Sequence, residues 1–73
     1  MAQHAVMSSV TGLVFQVVLA PGAAVAAGEV ILVVESMKME IPVAAPCAGR
    51  LAQILVAEGA SVDEGQQVAL IEA

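Results

Sequence analysis

The stretch GLVFQVVLAPGAAVAAG, residues 12–28, decides the fold because it recurs without a gap as GRLAQILVAEGASVDEG at residues 49–65. A shift of 37 residues aligns the two stretches, and the alignment continues outward to place Glu35 on Glu72. Chance matches are common in a chain rich in alanine and valine, but chance rarely aligns three glycines at equivalent positions. We therefore interpret the sequence as an internal repeat.

Each copy of the repeat has the pattern of short strands separated by turns. Pro21-Gly22 and Glu58-Gly59 mark one turn in each copy, where glycine suits the positive φ that such turns require. A helix is the rival interpretation because alanine is abundant, but the apolar runs are short, β-branched and bounded by Gly or Pro. Strands are predicted at residues 4–8, 13–19, around Val25 and 30–34 in the first copy, and at residues 40–44, 50–56, around Val62 and 68–72 in the second.

Neither copy can bury its apolar face alone, so we expect the two to pack together around a pseudo-twofold axis. The predicted fold is all-β, a flattened β-barrel of two antiparallel sheets. Residues 1–73 form one domain, with half-repeats at approximately 4–36 and 40–73. The junction leaves Met37 and Lys38 as a two-residue connection, which predicts a tight hairpin at the outermost point of the domain, far from both termini.

Composition and charge exclude several classes of function. The net charge is -5 with only two Lys plus Arg, so no basic patch is available for nucleic acid. Residues 1–28 carry no Asp, Glu, Lys or Arg, yet we reject a signal peptide or membrane span because no basic residue precedes the run and Pro21-Gly22 interrupts it. The single cysteine, Cys47, cannot form an intrachain disulfide, so we expect a reducing, cytoplasmic location.

Lys38 is the only lysine in the chain, and methionines flank it on both sides. A lone surface lysine is usually explained by solvation alone. Here its position at the junction of the repeat, between residues that are unusual at an exposed hairpin, favours a functional role. Met37 and Met39 suit adaptable recognition by another protein.

Three other polar residues give no indication of chemistry. His4 has no second metal ligand nearby in the pattern, so we interpret it as a surface strand residue. Cys47 has no evident histidine partner and is not predicted to be a nucleophile. Arg50 is expected on a solvent-facing edge. We predict no catalytic and no metal-binding residue.

The segment Glu35-Ser36-Met37-Lys38-Met39 resembles the biotinylation motif of biotin carboxyl carrier domains, which is typically Ala-Met-Lys-Met preceded by Glu. Residues 45–51 and 56–66 resemble two further segments of that family at its usual spacing, so the likeness covers nearly the whole chain. Ser36 replaces the usual alanine. The resemblance implies a barrel-sandwich hybrid with Lys38 on an exposed β-hairpin.

The resemblance also implies a function, that of a non-catalytic carrier subunit of a biotin-dependent carboxylase. A biotin protein ligase would attach biotin covalently to Lys38, with Met37, Met39, Glu35 and Ser36 as recognition residues. The biotin arm would then carry a carboxyl group between a biotin carboxylase and a carboxyltransferase, with an acyl-CoA carboxylase as the first expectation.

Two alternatives to the biotin carrier remain open. A lipoyl domain has the same fold and also modifies a hairpin lysine, although usually within Asp-Lys-Ala or Asp-Lys-Val. The other alternative is an interaction module of this fold that is never modified. Met37 and Met39 favour biotin over lipoate.

Overall fold

The computed structural model describes residues 2–73, and over these residues the chain forms eight strands and no helix. In the same residues there is accordingly no helix of the length and apolarity needed to cross a membrane. The all-β prediction is confirmed. The strands are β1 Gln3–Met7, β2 Gly12–Val17, β3 Ala24–Val25, β4 Val30–Ser36, β5 Met39–Ala44, β6 Gly49–Ile54, β7 Ser61–Val62 and β8 Gln67–Glu72.

The long strand β2 ends two residues earlier than the sequence predicts, at Val17 instead of Leu19. The backbone N–H groups of Val18 and Leu19 both donate to the carbonyl of Ile31, at 2.9 and 3.3 Å, so the regular ladder stops there. The equivalent strand β6 is shortened in the same way and ends at Ile54. Equivalent irregularities in the two copies are further support for the repeat.

Two four-stranded antiparallel sheets make up the molecule, with strand orders β1-β8-β6-β3 and β5-β4-β2-β7. Moving every strand of the first sheet to its repeat partner reproduces the order of the second. The predicted pseudo-twofold arrangement of two sheets is therefore confirmed. Each sheet, however, takes two strands from each copy, so the halves are interleaved and neither forms a sheet of its own.

The core obeys the same symmetry, because every buried residue has a buried partner 37 positions away. Its side chains are aliphatic except for Ser8, whose hydroxyl donates to the carbonyl of Val10 at 2.6 Å. Burial of these aliphatic side chains is the main source of stability in a domain this small. The pairs are Val6 with Val43, Ser8 with Ala45, Val14 with Leu51, Val25 with Val62, Ile31 with Val68, Leu32 with Ala69, and Val34 with Ile71.

Gly12 and Gly49 lie where two backbones come close together. A Cβ atom on Gly12 would overlap the carbonyl oxygen of Glu35, and one on Gly49 would overlap the carbonyl oxygen of Glu72. Backbone atoms cannot move aside as the end of a flexible side chain can. These positions therefore require glycine for close packing of strands, and they place β2 tightly against β4 and β6 tightly against β8.

The two ends of the described chain are paired with each other. The N–H of Ala2 donates to the carbonyl of Ala73 at 3.2 Å, and the N–H of Ala73 donates to the carbonyl of Ala2 at 2.9 Å. From this pair β1 runs along the molecule, and the loop after β1 brings the carbonyl of Thr11 within 2.9 Å of the Ser36 hydroxyl. The termini and the β4–β5 turn thus lie at opposite ends of the strands, as the sequence predicts.

Candidate functional site

A two-residue turn connects β4 to β5. Ser36 and Met39 are cross-strand partners, which leaves only Met37 and Lys38 between them. Their φ angles are 52° and 65°, and two consecutive positive values define a type I′ turn that matches the twist of the flanking strands. The predicted tight hairpin is confirmed.

The residues in this turn are not those that its backbone favours. Type I′ turns are dominated by Asn-Gly and similar pairs, because other side chains cost about 1–2 kcal/mol each in the left-handed region. Met37 and Lys38 both adopt that conformation. Strained positions of this kind cluster at functional sites, where the side chain is needed for something other than folding.

The side chains of the turn are open to solvent. Met37 is 93% exposed and Met39 is 62% exposed, and Lys38 between them is exposed as well. Neither methionine contributes to the core. The arrangement presents one primary amine beyond the ends of both strands, with an apolar side chain on either side of it.

Two carboxylates face each other on the next step of the hairpin. Glu35 in β4 and Glu40 in β5 are cross-strand partners, and both are exposed. The other neighbour of Glu35 across the sheet is Leu13 in β2. Like charges directly opposite each other are destabilising, so this pair gives the base of the hairpin a local negative field at some cost to the fold.

The Ser36 side chain braces the hairpin against the loop after β1. Its hydroxyl donates to the Thr11 carbonyl at 2.9 Å, while the Thr11 hydroxyl oxygen accepts from the backbone N–H of Glu64 at 3.0 Å. Through these two hydrogen bonds Ser36, the residue before the turn, is connected to a loop of the second copy. At the opposite end of the molecule the three equivalent residues are Ala73, Ala48 and Ala27, which have no hydroxyl groups.

Sequence reasoning assigned Ser36 to recognition and missed Thr11 and Glu64. The structure brings Glu35, Met37, Lys38 and Met39 together on one hairpin with Ser36, whose side chain is half-buried and engaged with Thr11. One signal was available in the sequence, because the repeat alignment sets two hydroxyl residues of the first copy against alanines of the second.

The remaining polar residues lie away from the turn. His4 is exposed in β1, and Cys47 lies half-buried in the loop between β5 and β6. Arg50 is exposed as expected, but the prediction that it lies on an edge was wrong, because the two-residue strand β3 pairs on the far side of β6. Within residues 2–73, no three His, Cys, Asp or Glu side chains are placed to hold a metal ion.

This fold and this hairpin define a class of carrier domains, and the chain belongs to the biotin/lipoyl family, described as biotin-requiring enzyme, whose sequence model matches residues 4–71. It is 50% identical over 44 residues to the mitochondrial methylcrotonoyl-CoA carboxylase subunit alpha of Oryza sativa subsp. japonica. That match covers 60% of this chain and 6% of the rice protein.

Solved structures give the same result. The crystal structure of the Kluyveromyces lactis urea carboxylase matches 99% of this chain with a TM-score of 0.93 and 33% identity. A single-chain, multi-domain long-chain acyl-CoA carboxylase matches 93% with a TM-score of 0.86 and 34% identity. The chain spans only 6% and 7% of the lengths of these two proteins.

A lipoyl domain is also similar, that of the 2-oxoglutarate dehydrogenase complex from Azotobacter vinelandii. It matches 86% of this chain with a TM-score of 0.72 and 30% identity, and 80% of its own length is covered. The flattened-barrel fold is thus common to both branches of the family.

Proposed function

We propose that Lys38 is the attachment site of biotin and that the chain is the carrier part of a biotin-dependent carboxylase. The observation that carries the proposal is the turn itself: the only lysine of the chain occupies a strained, solvent-exposed position between two exposed methionines. Membership of a biotin-requiring family supports it.

The residues of the turn fit the chemistry of attachment. Biotin has a carboxyl group, and a biotin protein ligase would join it to Nζ of Lys38 as an amide. ATP would activate the carboxyl group and leave as AMP, which takes the carboxyl oxygen, and pyrophosphate, while Nζ would give up a proton. The amine must enter the ligase's active site, and an amine beyond the ends of β4 and β5 can do so more easily than one on a flat sheet. No other lysine competes for the modification.

When attached, biotin supplies a nitrogen that accepts a carboxyl group at one site and releases it at another. The chain's own part is to hold the point of attachment on a rigid hairpin and to keep it clear of the core. We propose that the chain contributes no acid, base or nucleophile to the transfer of the carboxyl group. Tethering raises the concentration of the attached group near its partner sites to roughly the millimolar range for short flexible links.

The proposed partners are a biotin protein ligase, a biotin carboxylase and a carboxyltransferase. Of the three carboxylases compared with this chain above, one is named for urea and two for an acyl-CoA. An acyl-CoA is therefore the acceptor class that we propose.

A lipoyl carrier is the second candidate, supported by the similarity to a lipoyl domain at 30% identity. Two observations favour biotin. Methionines occupy both flanks of Lys38, where lipoyl domains usually have Asp and a small or β-branched residue. The structural similarity to the urea carboxylase is also closer, with a TM-score of 0.93 against 0.72.

The test is modification of the pure protein by a biotin protein ligase and, separately, by lipoate ligases, followed by intact-mass measurement and streptavidin blotting. We expect one biotin adduct on the wild type and none on Lys38→Arg, which keeps the positive charge and serves as the folding control. A lipoyl adduct, absence of any adduct, or an adduct that persists in Lys38→Arg would contradict the proposal.

A further inference from the structure

The outer faces of the two sheets have equivalent backbone structures but carry different side chains. We name the outward surface of the β5-β4-β2-β7 sheet the tip face and that of the β1-β8-β6-β3 sheet the twin face. On the tip face the row nearest the turn contains Leu13, Glu35 and Glu40, neighbours across β2, β4 and β5. The equivalent row of the twin face contains Arg50, Glu72 and Gln3.

The charges of the two rows are different. On the twin face Glu72 has a guanidinium on one neighbouring strand and an uncharged amide on the other. On the tip face Glu35 has Leu13 on one side and a second carboxylate, Glu40, on the other. The twin face shows that the backbone is compatible with a neutral row, so the fold does not require the acidic pair.

The apolar side chains of β2 and β6 also differ. Leu13 is 48% exposed and Phe15 is 51% exposed, whereas their partners on the twin face are Arg50 and Ala52. Phe15 is the only aromatic residue of the chain, and it lies on the outside, at an irregularity of β2 between Val14 and Gln16. The same irregularity in β6 accommodates alanine, so the backbone does not explain the phenylalanine.

An exposed aromatic beside an exposed leucine, with charges at the margin, is the composition of a protein interface centre and its rim. The negative charges of Glu35 and Glu40 are complementary to a partner surface with lysine or arginine at the corresponding positions. A second copy of this chain is a poor occupant, because a symmetric contact would bring Glu35 and Glu40 of both copies together.

We infer that the tip face, through Leu13, Phe15 and Glu40, is a docking surface for the ligase that acylates Lys38. This inference rests on the proposed function. Glu35 and Glu40 are the next pair along the hairpin after Ser36 and Met39, so an enzyme that receives the Lys38 side chain comes close to this row. The ligase surface that fits has an apolar patch flanked by basic side chains.

The experiment measures the rate of Lys38 modification by a biotin protein ligase, with biotin and ATP saturating and the carrier concentration varied. The tip-face variants take the residues of the twin face: Leu13→Arg, Phe15→Ala and Glu40→Gln. The matched controls make the reverse exchange on the twin face, Arg50→Leu and Gln3→Glu. Thermal unfolding of each variant verifies that it is folded at the assay temperature.

Loss of a docking contact raises KM for the carrier and leaves kcat nearly unchanged, since the reacting amine is untouched. We expect KM to rise about 3- to 10-fold for each tip-face variant. The controls should stay within about twofold of wild type. The effect of Glu40→Gln should shrink as salt is raised, because it acts through an exposed charge.

Unchanged KM in the tip-face variants would overturn the inference, and so would equal increases in the twin-face controls. Sedimentation showing that the wild type self-associates through the tip face at assay concentrations would also overturn it. No modification of the wild type by any ligase would contradict the proposed function itself and, with it, the docking surface. If the proposed function is right and only the docking surface is wrong, the wild type is modified and every variant has the same KM as the wild type.

Discussion

At one end of the molecule Ser36 and Met39 are joined by a strained two-residue turn, while at the other end the equivalent Ala73 and Ala2 pair with no turn between them. The same positions of the repeat are buried beneath the two ends. The terminal end shows what the fold requires there, which is two backbone hydrogen bonds. The exposed methionines, the lysine, the acidic pair and the Ser36 brace belong only to the other end.

The difference separates residues kept for folding from residues kept for another purpose. Symmetry-related positions with the same residue type serve the frame, as Gly12 and Gly49 do. Symmetry-related positions whose residues differ in chemistry, such as Leu13 and Arg50, are those where the two ends have diverged. Three sets of substitutions test this division, in order of expected effect.

Gly12→Ala and Gly49→Ala should each lower the free energy of unfolding by about 2–4 kcal/mol, because the new Cβ overlaps a backbone carbonyl oxygen that cannot move aside. Urea denaturation measures both. Similar losses at the two ends would support a common frame. If either alanine variant is as stable as the wild type, glycine is not required for close packing at that end.

Met37→Asn should raise the free energy of unfolding by about 0.5–1 kcal/mol, because Asn tolerates the left-handed backbone that methionine occupies at a cost. The same change should lower kcat/KM for modification by about tenfold if the ligase contacts the methionine side chain. Thermal unfolding and a ligase assay give the two quantities.

Met39→Asn is the matched control, since Met39 lies in β5 and has no positive φ to relieve. It should gain no stability. A Met37→Asn protein that is no more stable than wild type would argue against strain in the turn.

Ser36→Ala should have the smallest effect, about 0.5–1 kcal/mol at most, because one exposed hydrogen bond to Thr11 is lost. Amide hydrogen exchange at Lys38 and Met39 should become a few-fold faster as the brace is removed. Ser36→Thr keeps the hydroxyl and should retain the wild-type exchange rate. Identical exchange in Ser36→Ala and wild type would show that the contact does not restrain the turn.

Much of the fold could be predicted because the repeat and its glycines carry the information locally. The hairpin at Met37 and Lys38 followed from the junction of the two copies. The interleaving of strands could not be predicted, because the same apolar pattern is compatible with each copy forming its own sheet, and the choice of partner is made by packing over long sequence separations. The wrong prediction for Arg50 has this origin, since a strand as short as β3 has too little sequence pattern to predict its pairing with β6.

The candidate site was predictable at Lys38 and less so around it. A unique lysine between methionines is visible in the sequence. The brace is not, because it joins Ser36 to a residue 25 positions away and continues to a loop 53 positions from Thr11. The positive φ angles of the turn, and hence its strain, likewise become visible only in the structure.

The pairing of Ala2 with Ala73 has a mechanical consequence. Polypeptide joined to either residue would leave the domain at a single point, at the pole opposite Lys38. About a flexible link there the whole domain turns as a lever, and its longest dimension is 36 Å. Lys38 would then sweep an arc whose radius approaches that length, before the length of any attached group is added, and the body of the domain itself would provide most of the reach.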